Sequence, residues 1–491
     1  MRTKLTILSL YLCLLPVLAA QNQPVKQLLK IGAMRGASFS LMVKQVGSGE
    51  ALYAYDVDRE LTPASVLKLL TSATALELLG GDYRYETVLE YDGEIVNGAL
   101  EGNLYIKGSG DPTLGSSHFA MENRSGYTPG QNTFMPQWIQ AVTKAGIRRI
   151  TGAVVADESI FDTEGIPVKW VYEDMGSYYG AGSYGICVFD NLYRLYLNTG
   201  APGSTPEIAE MVPPIPAIRF HNYLKAASVR TDSCYILGAP FAGERYLYGV
   251  IPADRERFLI RGDIPDPALF LAQYTSDCLR MEGITVEGSP GCYRILSAAN
   301  NWPKRERKAL AVTCSPTLRQ IVRIINERSH NLFADALLKT IGLRYKGKQG
   351  EVISSMGKGI EVMKAYWREK GLDVSSLRVY DGSGLAAADK VTASFICDLL
   401  CYMGDQSGQA DAFLASLPEA GLEGSVANFL KGSSLQGKAL LKSGGMNGVR
   451  SFAGYIIKDG KQYAVAVLVN NYSGENRLML RNLEKLFVSL F

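Results

Sequence analysis

Thr62-Pro63-Ala64-Ser65-Val66-Leu67-Lys68-Leu69-Leu70 opens a helix, and the remainder of the chain reads most simply as a frame built around it. Thr62 reads as its N-cap and Pro63 as its first residue, where a missing N–H does no harm. Thr71 to Leu79 continue the helix until Gly80-Gly81 stop it. Residues three apart share a helical face, so the Ser65 hydroxyl and the Lys68 amine are expected to meet. A serine in a first turn also lies among unpaired backbone N–H groups, which favour developing negative charge. Its hydroxyl is a weak nucleophile until a base takes the proton, and a lysine becomes that base once burial or a second cation lowers its pKa. Taken alone, the pattern fits an ordinary amphipathic helix as well. A second copy, Ser355-Met356-Gly357-Lys358, has Gly357 inside it and Gly359 after it, which argues against a stable helical face there.

A chain of 491 residues exceeds one hydrophobic core, so two or three domains are expected. Hydrophobic residues at 47% and charged ones at 20% describe a globular protein. The formal charge of +3, with no Lys/Arg-rich block, argues against nucleic acid or an acidic polymer as partner. Met1 to Ala20 has the form of a secretory signal: Arg2 and Lys4, an apolar run from Leu5 to Leu18, then Ala19-Ala20 before Gln21-Asn22. The run is short for a membrane span, and apolar residues follow Cys13, against a lipoprotein reading. Without Arg2 and Lys4, 51 basic residues become 49 against 48 acidic ones, so the mature chain is nearly neutral. An exported, periplasmic protein, soluble or peripheral, is expected.

Seven cysteines follow the signal: Cys187, Cys234, Cys278, Cys292, Cys314, Cys397 and Cys401. An odd, scattered set is no disulfide framework; a Cys278–Cys292 bridge and buried free thiols are both open. His118, His221 and His330 are far apart, and neither H-E-x-x-H nor G-x-S-x-G occurs. Metal hydrolysis and a Ser-His-Asp mechanism therefore lack support, and no metal or cofactor is expected. Gly108-Ser109-Gly110-Asp111 is not a phosphate loop, since no Lys-Ser/Thr follows and no helix opens there.

Ser38–Val46 and Ala51–Asp56, around Gly47-Ser48-Gly49-Glu50, form a hairpin leading into the Ser65 helix. Near the other end, Arg450–Lys458 and Gln462–Asn470 flank the turn signal Asp459-Gly460. Arg477–Phe491 follows with helical spacing at Leu478, Leu480, Leu483, Leu486 and Phe487. The two termini can thus assemble one antiparallel sheet with helices packed on it. Between roughly Tyr91 and Ala299 the chain is rich in strands and turns, and reads as an insertion. Ser315–Thr340 is helical again, with Leu318, Ile321, Val322 and Ile325 on one face and Ser329-His330-Asn331 as an interrupting loop.

Three short motifs now stand in order: Ser65-Val66-Leu67-Lys68, Ser329-His330-Asn331 and Lys442-Ser443-Gly444. Together they resemble the active-site set of β-lactamases and penicillin-binding proteins, and the combination is far more specific than any member. The 264 residues from Ser65 to Ser329 exceed what a compact β-lactamase needs. The chain resembles the D-alanyl-D-alanine carboxypeptidase/endopeptidase family of the PBP4 type (peptidase family S13), which carries a large insertion between its first two motifs. Gly102–Leu114, Ile150–Asp162, Asp381-Gly382-Ser383-Gly384-Leu385 and Gly448–Tyr455 resemble it too. The likeness spans nearly all of the mature chain. Ser443 replaces the frequent threonine of the third motif and keeps its hydroxyl.

The resemblance implies an α+β fold: a β-lactamase/transpeptidase-like domain, with an antiparallel sheet flanked by helices, and a large mainly-β insertion between the first and second motifs. It would comprise residues 21–90 and 300–491, with 91–299 as one inserted domain or two nested ones. Ser65 would attack the carbonyl of the penultimate D-alanine and Lys68 accept its proton. Ser329 and Asn331 would relay a proton to the leaving amine and hold the substrate backbone. Lys442 and Ser443 would bind the terminal carboxylate. Lys68 and Lys442 would each depress the other's pKa. The N–H groups of Ser65 and Met446 would form an oxyanion hole, with about 3–4 kcal/mol per donor typical of such sites. Ser443, Gly444, Met446 and Asp174 are the expected substrate-binding residues. Asp174, within Trp170-Val171-Tyr172-Glu173-Asp174, matches a carboxylate that contacts the peptide's diamino acid; the plainer reading is a surface carboxylate. Asp381-Gly382-Ser383-Gly384 reads as a tight structural loop. The partners implied are peptidoglycan peptides ending in or cross-linked through D-Ala, and β-lactams as covalent inhibitors. A β-lactamase on the same fold and a non-catalytic wall-binding module are the competing readings; the intact motif residues weigh against the second.

Overall fold

A computed structural model describes residues 23–119, 134–347 and 351–491; the export segment read at Met1–Ala20 lies outside them. The chain forms two compact units. One contains the residues up to Gly81, Val322–His330 and Ile360–Phe491; the other contains Asp82–Ile321 and Asn331–Gly359.

The first unit is organised on a five-stranded antiparallel sheet, in the order Ala439–Met446, Val449–Lys458, Lys461–Asn470, Ser38–Gln45, Ala51–Tyr55. It joins the two terminal hairpins, as the sequence indicated. Asp459 and Gly460 turn the second hairpin with φ of +51° and +71°, the paired left-handed geometry that follows strand twist. Alternation sends Phe39, Leu41 and Val43 to one face, with Phe452, Val465 and Val467 beside them. Met479, Leu483, Leu486 and Phe487 of the C-terminal helix Asn476–Leu490 cover that face. Here the expected apolar stripe is corrected: Leu478 is exposed, and the buried face runs through Met479 instead. The helix Ala393–Asp405 lies on the opposite face, where Cys397 Sγ meets the Met42 carbonyl and Tyr455 Oη donates to the Leu400 carbonyl at 2.7 Å.

The second unit is rich in short strands, and the mainly-β expectation for the middle of the chain holds, although several pairings are parallel. Trp138 and Val142 of the helix Met135–Lys144 pack with Leu104, Ile106, Val154 and Leu271 in one buried cluster. Arg245, fully buried, pairs with Asp263 at 2.9 Å. The Ser355 motif is a correction. Ser355 opens the helix Ser355–Glu369, where Gly357 and Gly359 argued against a stable helical face. Gly359 is there because a Cβ would come within 2.1 Å of the Leu338 carbonyl oxygen, so it marks close packing and not a helix break. The seven cysteines are free thiols, with Cys278 and Cys292 both buried.

Candidate active site

The Ser65 segment begins differently from its sequence reading. Thr62 is no N-cap: its hydroxyl donates to the Ala387 carbonyl at 3.1 Å, and its backbone exchanges two bonds with the Asn470 carboxamide, at 2.8 and 3.0 Å. Pro63 precedes the helix, and Ala64 adopts φ +46°, a left-handed conformation that a non-glycine residue holds only when its surroundings impose it. A 3₁₀ turn, Ala64–Leu67, follows, and the α-helix runs from Lys68 to Leu79, ending at Gly80 with φ +83°. Ser65 therefore stands on a 3₁₀ turn and Lys68 on the first α-helical position. The expected contact forms all the same: Lys68 Nζ donates to Ser65 Oγ at 2.9 Å.

Lys442 comes from the edge strand Ala439–Met446, and its fully buried amine donates to Ser329 Oγ at 3.0 Å and to the Ser443 carbonyl at 2.7 Å. Burial, and after it the positive charge of Lys68, hold that amine well below the ordinary lysine value. Ser329 takes φ +58° between the helices Leu318–Arg328 and Asn331–Gly342, which aims its hydroxyl at the edge strand. Ser443 Oγ is 2.8 Å from Ser425 Oγ. Gly444 faces the 3₁₀ turn so closely that a Cβ would lie 2.6 Å from the Pro63 carbonyl oxygen and 3.0 Å from the Ser65 and Val66 nitrogens. Met446 ends the same strand. The first unit thus brings together Ser65, Lys68, Ser329 and Lys442, with Ser443 and Gly444 beside them on the edge strand.

Asn331 and Asp174 belong to the second unit. Asn331 starts its helix, and its Nδ2 donates to the Tyr179 carbonyl at 2.8 Å. Asp174 closes the short turn Tyr172–Asp174 and is buried, which corrects the alternative of a surface carboxylate. Burial, and then the Asp174 carboxylate, push the Tyr179 hydroxyl up to about 12. Residues 174–180 are held to the strand Arg255–Asp263 by the bond from Asp263 N to the Gly176 carbonyl, 3.0 Å, so Asp174 and the Asn331 anchor share one supported segment.

One participant was not legible as such. In Asp381-Gly382-Ser383-Gly384, the Ser383 carbonyl accepts from Lys68 Nζ at 2.6 Å. Composition marks this stretch as a turn, and its contribution is a main-chain oxygen that side-chain patterns do not register. Chemically, the first unit offers a hydroxyl held by an amine, a second amine with a depressed pKa, and a second hydroxyl. That set suits acyl transfer through a serine ester.

Comparison with known proteins agrees. A family model described as the D-Ala-D-Ala carboxypeptidase 3 (S13) family matches residues 21–487. A D-alanyl-D-alanine carboxypeptidase of Actinomadura sp. (strain R39) is 26% identical over 472 residues, 94% of this chain and 83% of that protein. The D-alanyl-D-alanine carboxypeptidase DacB of Haemophilus influenzae is 22% identical over 444 residues, 89% of this chain and 86% of that one. The crystal structure of penicillin-binding protein 4 from H. influenzae superposes with a TM-score of 0.78 at 20% identity, covering 96% of this chain and 98% of the other.

Proposed function

Because the chain belongs to the D-Ala-D-Ala carboxypeptidase 3 (S13) family, we propose that it hydrolyses peptidoglycan peptides after a D-alanine through an acyl-enzyme on Ser65, and that β-lactams block it by acylating the same oxygen. The observation that carries this reading is the pair of bonds Lys68 Nζ–Ser65 Oγ, 2.9 Å, and Lys442 Nζ–Ser329 Oγ, 3.0 Å, in one unit. As Ser65 Oγ bonds to the carbonyl carbon, its proton passes to Lys68. Ser329 gives a proton to the departing amine and is resupplied with the proton that Lys68 took from Ser65, passed on through the Lys442 amine bonded to its hydroxyl. Water then cleaves the ester. Lys442 and Ser443 hold the substrate carboxylate, and the N–H groups of Ser65 and Met446 face the developing oxyanion. Gly444 lets the edge strand Ala439–Met446 approach the 3₁₀ turn that carries Ser65.

In this reading Asn331, of the second motif, holds the substrate backbone, and Asp174, from the resemblance of Trp170-Val171-Tyr172-Glu173-Asp174 to the family, contacts the diamino acid. The signal-like segment Met1–Ala20 supports export to the periplasm, and among the described residues no helix is long and apolar enough to cross a membrane. Incubating purified muropeptide monomers and cross-linked dimers separately tests the proposal. Loss of a terminal D-alanine from monomers, cleavage of dimers, or both, is expected from the unsubstituted protein and from none of its Ser65→Ala variant. Unchanged muropeptides with a folded, unsubstituted protein would contradict it.

A further inference from the structure

We propose that Asp381 is a positioning residue for acylation, folding residues 381–386 into a clamp whose Ser383 carbonyl orients the amine of Lys68 toward Ser65. This deepens the acyl-transfer reading and rests on it. Asp381 is fully buried, and its carboxylate accepts three backbone N–H bonds: from Ser383 at 3.1 Å, Gly384 at 2.6 Å and Ala386 at 2.7 Å. One side chain thus dictates the path of the whole loop. Two successive carbonyls then point the same way. That of Ser383 accepts from Lys68 Nζ at 2.6 Å, and that of Gly382 accepts from Thr71 Oγ1 at 2.7 Å. Lys68 and Thr71 are three apart on one helix, so the loop is gripped twice by a single helical face. On its other side Gly384, with φ +76°, lies so close to the residue before the nucleophile that a Cβ would sit 2.0 Å from the Ala64 carbonyl oxygen.

The chemical consequence concerns direction. An uncharged amine has two N–H bonds and one electron pair, and the pair must face Ser65 Oγ to take its proton. Rotation about Cε–Nζ decides where that pair points. A carbonyl fixed at 2.6 Å engages one N–H, and together with the resting bond to Ser65 Oγ it confines the nitrogen to orientations from which a small turn brings the pair onto that oxygen. Lys68 takes the proton; Asp381 never touches it.

The test is stopped-flow acylation by a fluorescent penicillin, resolved into pre-acylation binding and the first-order acylation step, on Asp381→Ala, Asp381→Asn and Thr71→Val. Active-site titration by tight-binding label confines each rate to the folded fraction. The expected result is an acylation step slowed roughly 10- to 100-fold in Asp381→Ala, the size of effect that small misplacements produce, with binding unchanged. Asp381→Asn, which retains one acceptor oxygen, falls between Asp381→Ala and the unsubstituted protein, and Thr71→Val slows the same step less. Wild-type acylation rates in folded Asp381→Ala would overturn the proposal, as would binding and acylation weakening in parallel. Should Asp381→Ala fail to fold, wild-type rates in both other variants would overturn it equally. Failure of the underlying reading shows itself separately, as an unsubstituted protein that is not labelled at Ser65.

Discussion

At the scale of single residues the account turns on atoms a few ångströms from Ser65. Gly444→Ala would place a methyl 2.6 Å from the Pro63 carbonyl oxygen and 3.0 Å from the Ser65 nitrogen, positions occupied by backbone that cannot step aside cheaply. Such overpacking is expected to destabilise the fold by about 1–3 kcal/mol. The accompanying shift of the nucleophile should slow penicillin acylation by roughly 100-fold, measurable by stopped flow. Lys442 makes a prediction of the opposite sign for stability. Its amine is harder to protonate in the folded chain than in the unfolded one, so the unfolded state binds more protons and stability rises with pH, up to the ordinary lysine value of 10.5. Lys442→Met removes that penalty. It should melt higher than the unsubstituted protein at neutral pH, with the difference shrinking as pH approaches 10.5, and should not acylate. Calorimetry across the neutral to alkaline range checks the first outcome and penicillin labelling the second. The motif residues were legible because short spacings encode them. The role of Thr62 was not, since the Asn470 carboxamide that occupies its backbone is 408 positions away, and local propensity contains no trace of that partner.

Among elements, the terminal hairpins were read correctly because turn chemistry is local: Asp459-Gly460 tolerates the left-handed geometry that a tight hairpin needs. The C-terminal helix was found, but its buried face was partly misassigned, because leucine spacing alone did not show that Met479 faces the sheet and Leu478 solvent. The helix at Ser355 was missed for a related reason. Glycine lowers intrinsic propensity, yet Gly359 is demanded by the Leu338 backbone next to it, and tertiary packing overrides propensity. The element most exposed to test is the packed seam between sheet and terminal helix. There Phe452 stacks on Phe429 with centroids 3.9 Å apart and meets Phe487 edge-on at 6.1 Å. Phe452→Ala should lose about 3–5 kcal/mol in urea unfolding, through lost burial plus the cavity left behind. A loss well under 1 kcal/mol would mean the seam relaxes freely.

For the molecule as a whole, an α+β class was legible because one sheet draws on both termini and each contributes a recognisable hairpin next to a helix. The parallel pairings of the second unit were not. Thr285–Val286 with Arg149–Ile150 joins strands more than a hundred residues apart, and short strands carry little periodicity. The second unit also buries an ion pair that no sequence pattern announces. Arg245→Ala would leave the Asp263 carboxylate buried without its partner, and is expected to destabilise the protein by roughly 3–5 kcal/mol on denaturant unfolding. The claim on which everything else depends, however, is covalent chemistry at one oxygen. Intact-mass analysis after brief exposure to benzylpenicillin, followed by peptide mapping, addresses it directly. A single penicilloyl adduct on Ser65, absent from Ser65→Ala, is the predicted result; no adduct on the folded protein, or one that persists in Ser65→Ala, would contradict the account.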